Sequence, residues 1–404
     1  MSNINFSSLS VELTKKLSKK EKKEEGIFFT PPSTVLDTLD LISPYISDTS
    51  RILEPSCGSG EYVTALAGFS SDITAIEKNR IIYESISNSS LNMENVTFLN
   101  EDFLKFTTDR PYDLIIGNPP YFVMKKKDVA KKYYPYFSGR PNIFVLFIIH
   151  SLQLLTDKGI LSFILPKSFL NCVYYNKTRQ YINDTCRILH VIENRDVYLD
   201  TQQETIILII QKSKKKRVRV MNTKFTLDTN VNLVFGSPRV ISNIKKLYEN
   251  SRSLHELGFQ VNVGTVVWNQ CKDILTDDNT KTRLIYSSDI INKQLGMKNY
   301  TSPTKKNYIC KAGSRELVLV VNRGYGVGTY KFEYCLIESE VDYLIENHLI
   351  VIRHIEPIEK EQLREMYGSI ITSLGNKRTQ KFIELYFGNN AINTTEMTHI
   401  LPIY

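Results

Sequence analysis

With 404 residues, 42% of them hydrophobic and 23% charged, the chain is long enough for a full buried core and a prior of roughly two to three domains. No apolar run reaches the length of a membrane span, and the polar, lysine-rich start has no signal-peptide core. The six cysteines are scattered without a CxxC pair, which excludes a zinc ribbon or disulfide scaffold and sets the expectation of a reducing, cytoplasmic setting with no membrane partner. A net charge of +8, with basic runs at 15–23, 125–132 and 212–219, favours an anionic partner.

Residues 1–25 are polar and read as a flexible, frayed helical segment. From Gly26 to about Lys212, short apolar runs alternate with amphipathic stretches, the pattern of a mostly parallel sheet wrapped by helices. Strands are predicted at 51–53, 72–76, 96–99, 112–116, 160–165, 189–192 and 205–211, with helices at 33–46, 61–67 and 142–155 among them. The segment 142–155 is apolar all round and is predicted to be a buried helix. The basic run 212–217 then interrupts the rhythm, as a linker or the edge of the last strand. Beyond about Phe235 tyrosines, asparagines and short strand-like segments take over, which points to a second domain of mixed α+β character.

The first strand runs directly into Glu54-Pro55-Ser56-Cys57-Gly58-Ser59-Gly60 and a helix. Glycines at such a turn allow positive φ and a close approach of backbone to ligand. The absence of a GK[ST] ending excludes a P-loop, and the spacing is not the GxGxxG of a dinucleotide fold. Glu77 closes the next strand about 20 residues on, where an acid can accept both hydroxyls of a ribose. Asp102 and Phe103 follow the third strand, placing a carboxylate for an adenine amino group beside a ring that packs on the base. Each acid alone is an ordinary solvated strand end; acids at consecutive strand ends define an adenosyl site.

The fourth strand ends in Asn118-Pro119-Pro120-Tyr121. An exocyclic amine conjugated to a heterocycle is a poor nucleophile, and two acceptors for its hydrogens draw it toward tetrahedral geometry. The Asn118 side-chain oxygen and the Pro119 carbonyl are such acceptors, and the prolines stiffen the turn that carries them. Tyr121 adds a π-face for a base taken out of its stack, a contact worth roughly 1–3 kcal/mol. The alternative reading of this segment is a plain proline turn after a buried strand.

Phe28-Phe29-Thr30-Pro31-Pro32, the Glu54–Gly60 turn, Glu77, Asp102 and Asn118–Tyr121, in that order, resemble the gamma-class N6-adenine DNA methyltransferases typified by the TaqI enzyme. The resemblance covers about residues 26–212 and continues through 142–147 and 159–169. It implies a Rossmann-like class I methyltransferase α/β sheet with helices on both faces (26–234), followed by a smaller mixed α+β target-recognition domain (235–404). It further implies S-adenosylmethionine as methyl donor, no metal requirement, double-stranded DNA as partner, a monomeric enzyme and a separate cognate restriction endonuclease as a candidate partner. The cofactor contacts implied are Phe28, Thr30, Glu54, Ser56, Gly58, Gly60, Glu77, Asp102, Phe103 and Pro119. The catalytic set is Asn118, Pro119, Pro120 and Tyr121. Tyr198 stands where this class carries a second aromatic for the flipped adenine, although the usual Phe-Pro is here Tyr198-Leu199.

For DNA, the lysines Lys125, Lys126 and Lys127 follow the catalytic turn and are expected on phosphates flanking the flipped base. Trp268, Arg323 and Tyr325 in the C-terminal half are the candidate sequence readers, Arg323 on a glycine-rich turn that could approach guanine edges. Three other readings stay open at this point: RNA adenine-N6 methylation, protein-glutamine methylation, and a DNA-binding protein with an inactive methylase fold. The roughly 170 residues past Phe235 count against the protein-glutamine class, whose members are shorter.

Overall fold

The computed structural model describes residues 6–404 except 89–92, 195, 197, 200, 202, 214–217, 230, 301, 303, 323–332 and 388–391. It divides into two compact units, 1–241 and 242–404. The first is built on a seven-stranded sheet: β1 (Arg51–Glu54), β2 (Asp72–Ile76), β3 (Val96–Leu99), β4 (Tyr112–Gly117), β5 (Leu155–Pro166), β6 (Cys186–Asn194) and β7 (Thr205–Lys212). Their spatial order is β3-β2-β1-β4-β5-β7-β6. β1 to β5 pair in parallel, whereas β7 runs antiparallel between β5 and β6. This is the Rossmann-like class I methyltransferase arrangement expected.

The central strands are continuous apolar runs because both of their faces are covered. Period-two alternation deals their side chains to opposite cores. Leu114, Ile116, Ile160, Ile164, Ile207 and Ile209 enter one cluster, together with residues of α3 (Pro32–Ile42) and α4 (Glu61–Leu66). Ile115, Leu161, Phe163, Leu165, Ile206 and Leu208 enter the other, under α6 (Ile143–Leu154) and α7 (Asn176–Thr185). The predicted all-apolar helix is α6, whose residues from Ile143 to Leu152 are buried. Both β5 and β6 start several residues earlier than predicted: Leu155 at the start of β5 pairs with Tyr112 of β4, ahead of the polar Asp157-Lys158, and pairing with β7 extends β6 back across Arg187.

The N-terminus differs from its expectation. Residues 8–25 form two defined helices, α1 (Ser8–Lys16) and α2 (Lys19–Glu25), rather than a frayed segment. Ser18 and Glu21 make a reciprocal capping box at the start of α2, satisfying amide donors that a helix leaves open. Leu13 and Leu17, four residues apart on one face, are buried with Phe29 and with Ile82 of α5 (Arg80–Ser87). Most lysines of the segment are exposed, which is why the composition reads as polar, whereas Lys22 is buried and donates to the Thr14 carbonyl at 2.8 Å.

The second unit is mixed α+β. One four-stranded antiparallel sheet has the order Phe259–Val263, Leu349–His354, Val318–Asn322, Tyr334–Ile337. A second joins Leu275–Thr276, Tyr308–Ile309, Thr282–Ile285 and Tyr343–Ile345. The helices Lys360–Leu374, Lys377–Tyr386 and Thr394–His399 follow. Among the described residues no helix is long and apolar enough to cross a membrane.

Candidate active site

In the 3-2-1-4 part of the sheet, successive crossovers leave β1 in opposite directions, so their loops part above the carboxyl ends of β1 and β4. Open α/β sheets bind ligands at such a switch point. A cavity of about 540 Å³ lies there, walled by loops from four strand ends and by the segment joining α2 to α3.

The turn after β1 forms its floor. Gly60 caps α4 with φ 82, a left-handed conformation that favours glycine, and a Cβ there would press on Ile86 Cδ1 at 2.5 Å. The Gly58 amide donates to Glu77 Oε2 at 3.0 Å, and the Asn79 amide donates to Glu77 Oε1 at 2.7 Å. Glu77 is buried, and burial pushes its carboxyl up to about 7, opposed by those two amides. Asp102 accepts from the Leu104 amide at 3.1 Å and pairs with Lys78 at 3.0 Å. Phe103 packs on Phe147 of α6 with ring centroids 4.8 Å apart. Phe28, Ser56, Gly58, Glu77, Asp102, Phe103, Asn118 and Pro120 therefore share one cavity wall, as do Ile27, Asn79, Ile82 and Phe147, to which no sequence motif points.

Other expected cofactor residues lie off that wall. Glu54 is buried beneath the turn against Gly117, and burial with Glu77 and Glu61 nearby drives its carboxyl well above the usual range. Its Oε2 has no hydrogen-bond partner among the described residues. Gly60 shapes the turn without lining the cavity, and Pro119 is buried behind it. Thr30 is also buried off the wall, where its hydroxyl accepts from Asn118 Nδ2 at 3.3 Å.

Asn118 emerges directly from the end of β4. Its Nδ2 also donates to the Phe28 carbonyl at 3.2 Å, and its Oδ1 accepts from the Tyr121 hydroxyl at 2.6 Å. Ser56 Oγ donates to the Asn118 backbone carbonyl at 3.2 Å, which ties the β1 and β4 loops together. The Tyr121 hydroxyl also lies 2.9 Å from the Ile164 carbonyl, and its ring stands between Phe28 and Phe144. Tyr198 is turned inward, 5% exposed, with its hydroxyl 3.4 Å from Thr205 Oγ1. It does not line the cavity: a phenol at this position finds its polar partner in β7, inside the protein.

Lys125, Lys126 and Lys127 are exposed on the loop after Tyr121, and Lys126 sits over the Tyr134 ring at 4.9 Å. In the second unit, Trp268 is half-buried on a cluster containing Tyr286 and Ile309, with Lys272 at 5.8 Å and Lys305 at 5.5 Å from its ring centre. Arg323 and Tyr325 lie outside the described residues.

Similarity to known proteins follows the same residues. The family described as Eco57I restriction-modification methylase matches residues 5–198. Type II methyltransferase M.CvrRI of Paramecium bursaria Chlorella virus XZ-6E is 28% identical over 413 residues, covering 99% of this chain and 99% of that protein. Modification methylase CviBIII of Paramecium bursaria Chlorella virus NC1A is 27% identical over 369 residues, covering 86% of this chain and 88% of that protein. Type II methyltransferase M.AccI of Acinetobacter calcoaceticus is 26% identical over 194 residues, 46% of this chain and 36% of that protein. The stretch 5–198 that matches the restriction-modification methylase family contains every residue lining the cavity.

Proposed function

We propose that this chain is a restriction-modification-type DNA methyltransferase that transfers a methyl group from S-adenosylmethionine to N6 of a flipped-out adenine. One observation carries the reading: Asn118, an acceptor suited to an exocyclic amine, stands in the same cavity wall as Glu77, Asp102 and Phe103, the groups suited to an adenosyl ligand. The names of the relatives, modification methylase and type II methyltransferase, support the reaction class. The length of M.CvrRI, matched almost end to end, supports taking residues 242–404 as part of the same working unit, the part that reads DNA.

The cavity suits S-adenosylmethionine in chemistry as well as size. Glu77 would take the ribose hydroxyls, Asp102 the adenine amino group, and Phe103 and Ile82 the faces of the base. When bound, the cofactor supplies a methyl group on a sulfonium, already activated for transfer to nitrogen. The protein's part is then to place and polarise the amine. Asn118 Oδ1 and the Pro119 carbonyl accept its two hydrogens, and neither needs to be a strong base, because positioning supplies most of the rate. Lys125, Lys126 and Lys127 hold phosphates beside the extruded nucleotide.

The test is transfer of a tritiated methyl group from S-adenosylmethionine to duplex DNA and to RNA in parallel. Label in adenine of DNA is expected; label confined to RNA or protein would overturn the reading. Asn118→Ala should lower transfer about 100-fold or more while cofactor binding stays within roughly twofold. Parental transfer by that variant would remove Asn118 from the mechanism.

A further inference from the structure

An asparagine amide has two ends of nearly equal shape and opposite hydrogen-bonding sense. For Asn118 the difference decides activity, since only Oδ1 can accept hydrogens from a substrate amine. A half-turn of the amide would present an NH₂ group to an NH₂ group. Something in the fold must therefore choose the end that faces the acceptor.

We infer that Thr30, together with the Phe28 carbonyl, makes this choice and is a positioning residue for Asn118; the inference rests on the methyl-transfer reading above. The Phe28 carbonyl can only accept, and it lies 3.2 Å from Asn118 Nδ2. Thr30 Oγ1 lies 3.3 Å from the same nitrogen, so both amide hydrogens have a partner on one strand of backbone. At the opposite end, the Tyr121 hydroxyl donates to Oδ1 at 2.6 Å. An amide oxygen has two lone pairs, so Oδ1 holds the Tyr121 bond and keeps one position for the amine. Thr30 is 6% exposed and absent from the cavity wall. Its side chain touches Asn118, and it sits two residues from Phe28, which lines the cavity. Flanking prolines, Pro31 and Pro32, restrict the backbone that carries it.

The experiment uses the full chain with Thr30→Val, which keeps the shape and removes the hydroxyl, and Thr30→Ser, which keeps the hydroxyl. Thr30→Val should lower kcat for methyl transfer to duplex DNA roughly 3- to 10-fold, the worth of one neutral hydrogen bond. The equilibrium Kd for S-adenosylmethionine should stay unchanged, and Thr30→Ser should restore most of kcat. In parallel, the side-chain amide resonances of Asn118, identified by their loss in Asn118→Ala, should shift in Thr30→Val and return in Thr30→Ser. A weakened cofactor Kd with unaltered kcat would make Thr30 a cofactor contact and overturn the inference. Serine no better than valine, or amide resonances unmoved by valine, would overturn it too. Should the parent protein methylate no DNA, the functional reading fails, while the amide resonances still decide whether Thr30 orients Asn118.

Discussion

Glu77 is the residue whose ionisation and role are in tension. Burial raises its carboxyl to about 7 from an ordinary value of 4.5, because the desolvation it suffers outweighs the two amides that favour the charged form. In the cofactor-free protein it therefore keeps its proton through most of the range between those values. The stabilising contribution of a raised acid is present at low pH and declines as pH rises through about 7. Ribose hydroxyls, however, donate best to the ionised form. The affinity for S-adenosylmethionine should accordingly rise with pH, by up to about tenfold per unit below the folded pKa, and level off above it. Titration calorimetry at pH 6, 7 and 8 would check this, with proton release on binding over the same window. Glu77→Gln should bind more weakly and lose the pH dependence; an unchanged slope in that variant would assign it to another group.

Among the elements, the α1–α2 arm and the segment that leaves it are the parts with consequences beyond their own packing. Gly26 ends α2 in the left-handed region at φ 67, and a Cβ on it would fall 2.5 Å from the Tyr121 backbone nitrogen. The arm is thus seated directly on the Asn118–Tyr121 turn, and Ser10 joins it to the glycine turn through a 2.7 Å bond to Ser59. Gly26→Ala should cost at least about 1–2 kcal/mol from backbone strain alone, visible as a lower Tm, and it should reduce methyl transfer more than cofactor binding. A variant with parental Tm and rate would show that the turn relaxes freely. The arm was also the least legible element. Leu13 and Leu17 are embedded in lysines and glutamates, and only their burial against Phe29 and Ile82 reveals a packed face. The sheet was legible because a strand covered on both sides is apolar without interruption, as in 114–116 and 206–210. Its polar ends were not, because Asp157 is carried in β5 behind a Leu155–Tyr112 pair with β4 and Arg187 joins β6 through pairing with β7. In the site, Glu77 and Asn118 could be found since each follows its strand immediately, and Asp102 since it lies three residues past the end of β3. Phe147 and Ile82 come from helices whose sequence announces only a core, and the inward turn of Tyr198 depends on Thr205 across the sheet.

At the scale of the whole molecule, the excess of positive charge bears on DNA affinity more than on the cofactor. The proposed partner binds through phosphates, so log Kd should rise steeply with log salt, with tighter binding near 50 mM than near 200 mM by a factor on the order of 10³ if six phosphates are neutralised. S-Adenosylmethionine binding should hardly move over the same range, because it releases no counterions condensed on a polyanion. Replacing Lys125, Lys126 and Lys127 together by glutamine should flatten the salt slope by about one unit for each phosphate no longer neutralised, without altering sequence preference. A slope equal to that of the parent would move the phosphate-binding surface elsewhere on the chain.

Phe28 belongs to two sets at once. Its side chain lines the cofactor cavity, while its carbonyl holds the amide of Asn118. On the proposed function, a ligand that shifts this residue from one side would shift it for the other, which would couple the two occupancies. Such coupling is reciprocal: for the proposed substrate, the factor by which cofactor tightened capture of the flipped adenine would equal the factor by which the adenine tightened the cofactor.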